Sequence, residues 1–334
     1  MKSLIETLTQ IPGPPGYENK IRAVVRAEIE SHADEIRVDA LGNLIARKGS
    51  KAGNGKRIML SAHMDEIGVI ATHIDENGFV RFTNVGGVFP RYAPSGRVRF
   101  LDGTIGVIGT EKITNSYKVP PLDKMFIDVG ANGRTNCPIK VGDVAVFERP
   151  LTEMGGRLVS KAMDDRISVA ILIEALKKLK KTPHEIYFVF SVQEEVGVRG
   201  ATTAAFGVDP ELGLAIDVTR TGDTPKSITM EVALGAGPAI KVKDSGMITD
   251  PRVVDWMVRI AAKAKIPYQL EVLERGGTDA RAIQLTRSGV PAGCLSIPCR
   301  YVHSPSEMVD YNDVQNALKL LLALLNDTGV FQMS

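Results

Sequence analysis

Cysteine is scarce: Cys137, Cys294 and Cys299 are the three in 334 residues. An odd number with no C-x-x-C spacing argues against a disulfide framework and a zinc ribbon, and suits a reducing cytoplasm, where the chain is expected. Charge of one sign is lacking too. Lys+Arg of 41 against Asp+Glu of 39 leaves a net +2, which gives no electrostatic footing for nucleic acid or an anionic membrane surface. The longest basic run, Lys177-Lys178-Leu179-Lys180-Lys181, falls where a helix is predicted to end, and cations suit that pole of the dipole. Long apolar runs are missing as well: Lys319 interrupts the stripe at Leu318–Leu325, and Glu6 stands where a signal peptide needs apolar residues, so neither a membrane span nor secretion is expected.

What is present is length enough for two domains. The organising stretch is 184–197, HEIYFVFSVQEEVG. An apolar, β-branched and aromatic run, the pattern of a strand buried on both faces, ends there in two adjacent carboxylates. Residues 57–65, RIMLSAHMD, repeat the pattern. From Asp164 onward strands and helices alternate: a helix over 166–181, strand 184–192, a helix near 200–206, strand 212–217, a strand around 227–232, a helix over 251–265, strand 268–273, a helix over 278–288, strand 292–301 and a helix over 310–325. That alternation predicts a mainly parallel, helix-covered sheet. Between residues 67 and 157 the texture differs. Short alternating runs punctuated by Asp102-Gly103 and Asn132-Gly133 read as hairpins of a small barrel or sandwich. The expected architecture is α/β, a three-layer αβα domain of residues 1–66 and 158–334, interrupted by an all-β insertion of residues 67–157.

The informative coincidence is positional. Separate apolar strands end in His63 and Asp65, in Glu194 and Glu195, in Asp217 and in His303, while Asp164 and Asp165 open the helix after the insertion. In a parallel sheet the carboxyl ends share one edge, where ligands bind, so groups scattered from residue 63 to residue 303 converge. Imidazoles and carboxylates crowded together desolvate and repel unless cations hold them. Mixed His and carboxylate donors suit zinc, cobalt or manganese, and several carboxylates for two histidines point to two ions. His63 and Asp217 then serve one ion, Glu195 and His303 the other, and Asp164 bridges. Glu194 is left beside the bridging water as general base, and Asp65 orients His63 from behind.

At this point the chain resembles a known family. The segments Ser61-Ala62-His63-Met64-Asp65-Glu66-Ile67-Gly68, Lys161 to Arg166, Val192 to Gly200, Ala215 to Val218, Gly276 to Ala280 and Arg300 to Ser304 are similar to the dinuclear metallo-aminopeptidases of metallopeptidase family 42. These are the tetrahedral or TET aminopeptidases, a group that also carries glutamyl-aminopeptidase and endoglucanase labels. The resemblance implies the same ligands (His63, Asp164, Glu195, Asp217, His303), the same base and the same Asp65. It further implies two zinc or cobalt ions, manganese being possible, short peptides as substrates, and removal of the N-terminal residue through a bridging hydroxide activated by Glu194. A β insertion used for dimerisation and assembly of dimers into a homododecamer are implied too.

Two other readings compete. A glycosidase would use Glu194 and Glu195 as its acid pair, although adjacent residues at a strand end diverge; a non-catalytic metal-binding assembly protein would have no use for Glu194. His32, His73 and His184 read as structural histidines, and Cys294 and Cys299 as inert core thiols. Asp165 reads as a helix cap or an internal hydrogen-bond partner. Asp279 is either a cap or a pocket residue, and Gly277 and Arg220 are candidates for contacting substrate. Arg220, Arg275 and Arg281 lie near the same edge, either favouring acidic substrates or simply solvated.

Overall fold

A computed structural model describes residues 1–112 and 118–329. Among them, the strands that read as continuous apolar runs occupy the middle of an 11-stranded sheet. Four lie side by side and parallel in the order Glu185–Ser191, Arg57–His63, Leu212–Thr219, Ala292–Arg300. Their side chains alternate between two helical layers because a strand has a period of two. Ile58, Leu60, Phe188, Phe190, Leu214 and Ile216 face the helices Lys2–Gln10, Asn19–Ile29, Met163–Lys178 and Tyr311–Leu325. Met59, Val189 and Ala215 face the helices Arg199–Val208 and Asp279–Gln284. Each such Leu, Ile or Phe, fully buried, contributes about 1.5–3 kcal/mol of transfer free energy. The sheet is therefore a rigid platform with both faces covered, as the sequence led us to expect.

Antiparallel strands flank this core: Glu35–Val38 and Leu44–Lys48 on one side, Glu307–Asp310, Arg157–Ser160 and Thr152–Met154 on the other. The expected strand around 227–232 is absent. Those residues form a compact loop, closed by Gly222 N donating to Val232 O and by the Ser227 hydroxyl donating to Thr221 O, with Lys226 at φ 54°. The edge that strand would have used is taken by Ala239–Lys243, which pairs with Ala292–Arg300 and with Gln269–Val272. The helix expected to reach residue 288 stops at Gln284, and the turn that follows carries Arg287 and Gly289 at positive φ.

Between the strand ending at His63 and the hairpin Thr152–Ser160 the chain closes a separate antiparallel barrel. Its strands, in order round the barrel, are Gly68–Ile74, Val80–Val85, Met125–Asp128, Ile105–Thr110, Arg97–Phe100 and Val144–Phe147. It has its own core, built on Val69, Phe82, Val98, Phe100, Ile127 and Phe147. No described helix is long and apolar enough to cross a membrane.

Candidate metal centre

Strand register brings the chemistry together. Ser61 pairs with Ala215 and with Val189, and His63 is level with Ser191. Two residues past the Ser61–Ala215 pair the chains carry His63 and Asp217, and three residues past Ser191 comes Glu194. Asp164 and Asp165 approach from the start of Met163–Lys178, where both have non-helical dihedrals and the peptide bond between them is cis. His303 arrives on the loop after Ala292–Arg300, at φ 64°.

One carboxylate lies between the two imidazoles. Asp164 Oδ1 is 3.0 Å from His63 Nε2, and Oδ2 is 3.3 Å from His303 Nε2. Glu195 Oε1 is 3.2 Å from His303 Nε2. Donor atoms of His63, Asp164 and Glu195 lie within 4.8 Å of one another, and so do those of His63, Asp165 and Asp217. Each imidazole is turned by a backbone carbonyl: His63 Nδ1 lies 3.0 Å from Asp65 O, and His303 Nδ1 3.0 Å from Gly87 O. A ring that donates Nδ1–H to a carbonyl presents a bare Nε2 to a metal. Both Nε2 atoms point into the same small space.

Electrostatics make that space unstable without cations. Burial raises the pKa of Asp165, Asp217 and Glu194 well above the usual carboxylate range, and neighbouring carboxylates push the same way. Burial also opposes protonation of the histidines, yet the carboxylates outweigh it. His63 is raised well above normal through Asp164 and Asp65, and His303 is pushed up to about 12 through Glu195 and Asp164. Burial would raise Asp164 too, but the two imidazoles hold it well below the ordinary value. The buried Oδ1 of Asp165 and Oε1 of Glu195 have no hydrogen-bond partner. Orphaned carboxylate oxygens beside two inward-facing Nε2 atoms fit a divalent metal.

The five expected ligands thus meet, and Glu194 joins them on the wall of a cavity of about 300 Å³. Asp65 is placed differently from the expectation. Its main-chain oxygen holds His63, while its carboxylate lies 3.6 Å from Nδ1 and accepts the backbone N–H groups of Glu194 and Glu195 at 3.0 and 3.1 Å. Asp165 accepts the N–H of His63 at 3.3 Å. Gly277 and Arg220 line the cavity. Asp279 does not: it is buried behind the wall, where Ser61 and Ser191 hydroxyls donate to its Oδ2 at 2.6 and 2.5 Å, and the cap of its helix is Thr278. His184 is structural, accepting the N–H of Lys56 and contacting Asp327 O.

Three contributors went unread in the sequence. Gly86 and Gly87, from the barrel, lie against Glu195 and His303. Glu307, 2% exposed, accepts the N–H of Asp164 at 2.9 Å and that of His303 at 2.7 Å. The only written hint was a glutamate four residues beyond His303.

Residues 42–320 match the M42 glutamyl aminopeptidase family. A relative from Acetivibrio thermocellus is 50% identical over 325 residues, spanning 96% of this chain and 97% of its own. Among solved structures, aminopeptidase APDkam598 from the archaeon Desulfurococcus kamchatkensis superposes with a TM-score of 0.93 at 42% identity, covering 98% of this chain and 94% of that one. The Pyrococcus horikoshii TET1 peptidase, described as assembling into a tetrahedron or a large octahedral shell, gives 0.89 at 35% identity, with 98% and 99% covered.

Proposed function

The chain belongs to the M42 glutamyl aminopeptidase family, and from that membership we propose a metal-dependent aminopeptidase that removes the N-terminal residue of short peptides with two divalent ions. The observation that carries this reading is the convergence of His63, Asp164, Glu195, Asp217 and His303, with both imidazoles turned Nε2-inward by backbone carbonyls. In it His63 and Asp217 hold one ion, Glu195 and His303 the other, and Asp164 offers an oxygen to each side. Zinc, cobalt and manganese suit these donors. Such ions, when bound, supply Lewis acidity to the peptide carbonyl and lower the pKa of water.

The protein's own groups do the rest. Glu194 lines the cavity and its carboxylate makes no hydrogen bond to any described residue, so it is free to take the proton of the attacking water and hand it to the leaving amine. Burial raises its affinity for that proton. The Asp65 carboxylate holds the Glu194 and Glu195 backbone in place, which keeps base and ligand from exchanging positions. Glu195 faces His303 Nε2, so the adjacent pair is not the two opposed acids that cleavage of a glycosidic bond requires.

We assign substrate preference to the cavity wall. Arg220, Arg275 and Arg281 line it, unpaired with any carboxylate among the described residues, which favours peptides that begin with an acidic residue. Assembly into a homo-oligomer through the barrel belongs to the same proposal. Ile105 and Val107 stand exposed, pointing outward from one barrel strand, as an apolar contact needs. Glu194→Gln tests the mechanism: it keeps the metals and lowers kcat by roughly 10²–10⁴ on aminoacyl-p-nitroanilides. Parental turnover in that variant, or full activity after chelation, refutes the reading.

A further inference from the structure

Glu307 contacts two segments that meet at the metal centre, those carrying Asp164 and His303. It lies on the edge strand Glu307–Asp310, is 2% exposed, and uses one oxygen for each of two backbone donors. Oε2 accepts the N–H of Asp164 at 2.9 Å and Oε1 accepts the N–H of His303 at 2.7 Å. Both donors belong to side chains proposed above as ligands. Asp164 is extended where the helix Met163–Lys178 would otherwise begin, and His303, like Tyr301 before it, sits at a positive φ near 60°. Residues at such a positive φ persist when something fixed holds them. A buried carboxyl group receiving two N–H groups is such a fixture, because leaving either buried donor without its acceptor is costly.

We propose that Glu307 is a positioning residue for the metal centre, its carboxylate setting the separation of Asp164 and His303 by gripping the main chain of both. This rests on the ligand set proposed above. Loss of one acceptor frees one ligand backbone, so metal affinity falls before the fold does.

Glu307→Gln is the test. The amide keeps one acceptor oxygen and turns an NH2 toward the second N–H, at unchanged size. Asp313 supplies the control: it too is buried and accepts two backbone N–H groups, of Gly235 and Gly237 at 2.7 and 2.8 Å, away from the centre. Metal-free wild type, E307Q and D313N are titrated with cobalt chloride, followed by the visible d–d absorption that reports coordination geometry. E307Q is expected to retain the wild-type circular dichroism spectrum, to bind cobalt about 10- to 100-fold more weakly with an altered d–d spectrum, and to lose kcat more than KM. D313N is expected to lower Tm and leave cobalt affinity and spectrum alone. Wild-type affinity and spectrum in E307Q overturn the assignment. If E307Q does not fold, Glu307→Asp, which keeps the charge and shortens the reach, is read the same way; if neither folds, Glu307 is a structural residue and the assignment falls. Failure of the wild type itself to bind cobalt removes the ligand set instead.

Discussion

A single methyl group on Gly87 should disable the centre. A Cβ built there lies 2.5 Å from His303 Nδ1 and 2.7 Å from Cε1, both on a ring whose other nitrogen faces Asp164 and Glu195. Non-bonded carbon and nitrogen settle near 3.5 Å, so the ring and the barrel turn must part by about 1 Å. The ring has little room, since Glu307 fixes its backbone and Gly87 O its Nδ1. Misplacement of a catalytic component by about 1 Å costs on the order of 10² in rate, equivalent to about 2.7 kcal/mol. The expectation for Gly87→Ala is therefore a kcat near one hundredth of wild type and a weakened second metal, with the barrel core and the Tm little changed. Gly133→Ala is the matched control, because Gly133 is also in the barrel but does not line the cavity, and a Cβ there meets only Glu76 O at 3.6 Å. Both variants are assayed after metal reconstitution, with bound metal measured by mass spectrometry and turnover on an aminoacyl-p-nitroanilide. Two ions and wild-type kcat in Gly87→Ala would refute the contribution of the barrel to the centre.

Charge on the cavity wall sets a second expectation. Three guanidinium groups worth a few tenths of a kcal/mol each should make glutamyl- or aspartyl-p-nitroanilide about tenfold better in kcat/KM than the lysyl substrate, and Arg275→Glu should shrink that ratio; a lysyl preference in the wild type contradicts it. Metal uptake should depend on pH in a stated direction. Asp164, Glu195 and Asp65 raise the proton affinity of His63 and His303, so an arriving ion competes with protons and its affinity falls as pH falls, by about tenfold per pH unit for each proton released. Calorimetric titration with zinc in buffers of different ionisation enthalpy counts those protons, and an affinity that rises on acidification would be the wrong sign.

Much of this was legible because buried parallel strands leave an unmistakable trace: an apolar run that ends in an ionisable residue. His63, Glu194, Glu195 and Asp217 were found that way, and the rule that strand ends share one edge brought them together before any coordinates did. The strand Ala239–Lys243 was missed for the converse reason. Lys241 breaks its apolar pattern, and only the fold reveals that this lysine is fully buried and paired with Glu271, with Asp244 3.9 Å away. Ile228, Met230 and Val232 offered a better alternation and misled, since a period of two does not say whether a neighbouring edge is vacant. Glu307 and Gly87 were invisible because what they touch is main chain or a ring face, which sequence does not write down.

The centre gathers acids in a dry place, and the fold stabilises them without neutralising them. Asp65 accepts two backbone N–H groups, Glu307 two more, Asp165 that of His63, and Asp217 that of Val218. Backbone dipoles satisfy carboxylate oxygens at no net charge, so the negative surplus survives. The buried cations nearby are committed elsewhere: Lys241, on the cavity wall, is paired with Glu271. Lys161 is spent on Glu66, and Arg166 donates to the carbonyl oxygens of Met64, Leu8 and Ile11 as well as lying 3.5 Å from Glu66. Had either been aimed into the cluster, it would have occupied the charge that the proposed ions require. Arg166 instead ties the N-terminal helix to the turn after His63, so that the same buried guanidinium braces the ligand strand and stays out of the ligand shell.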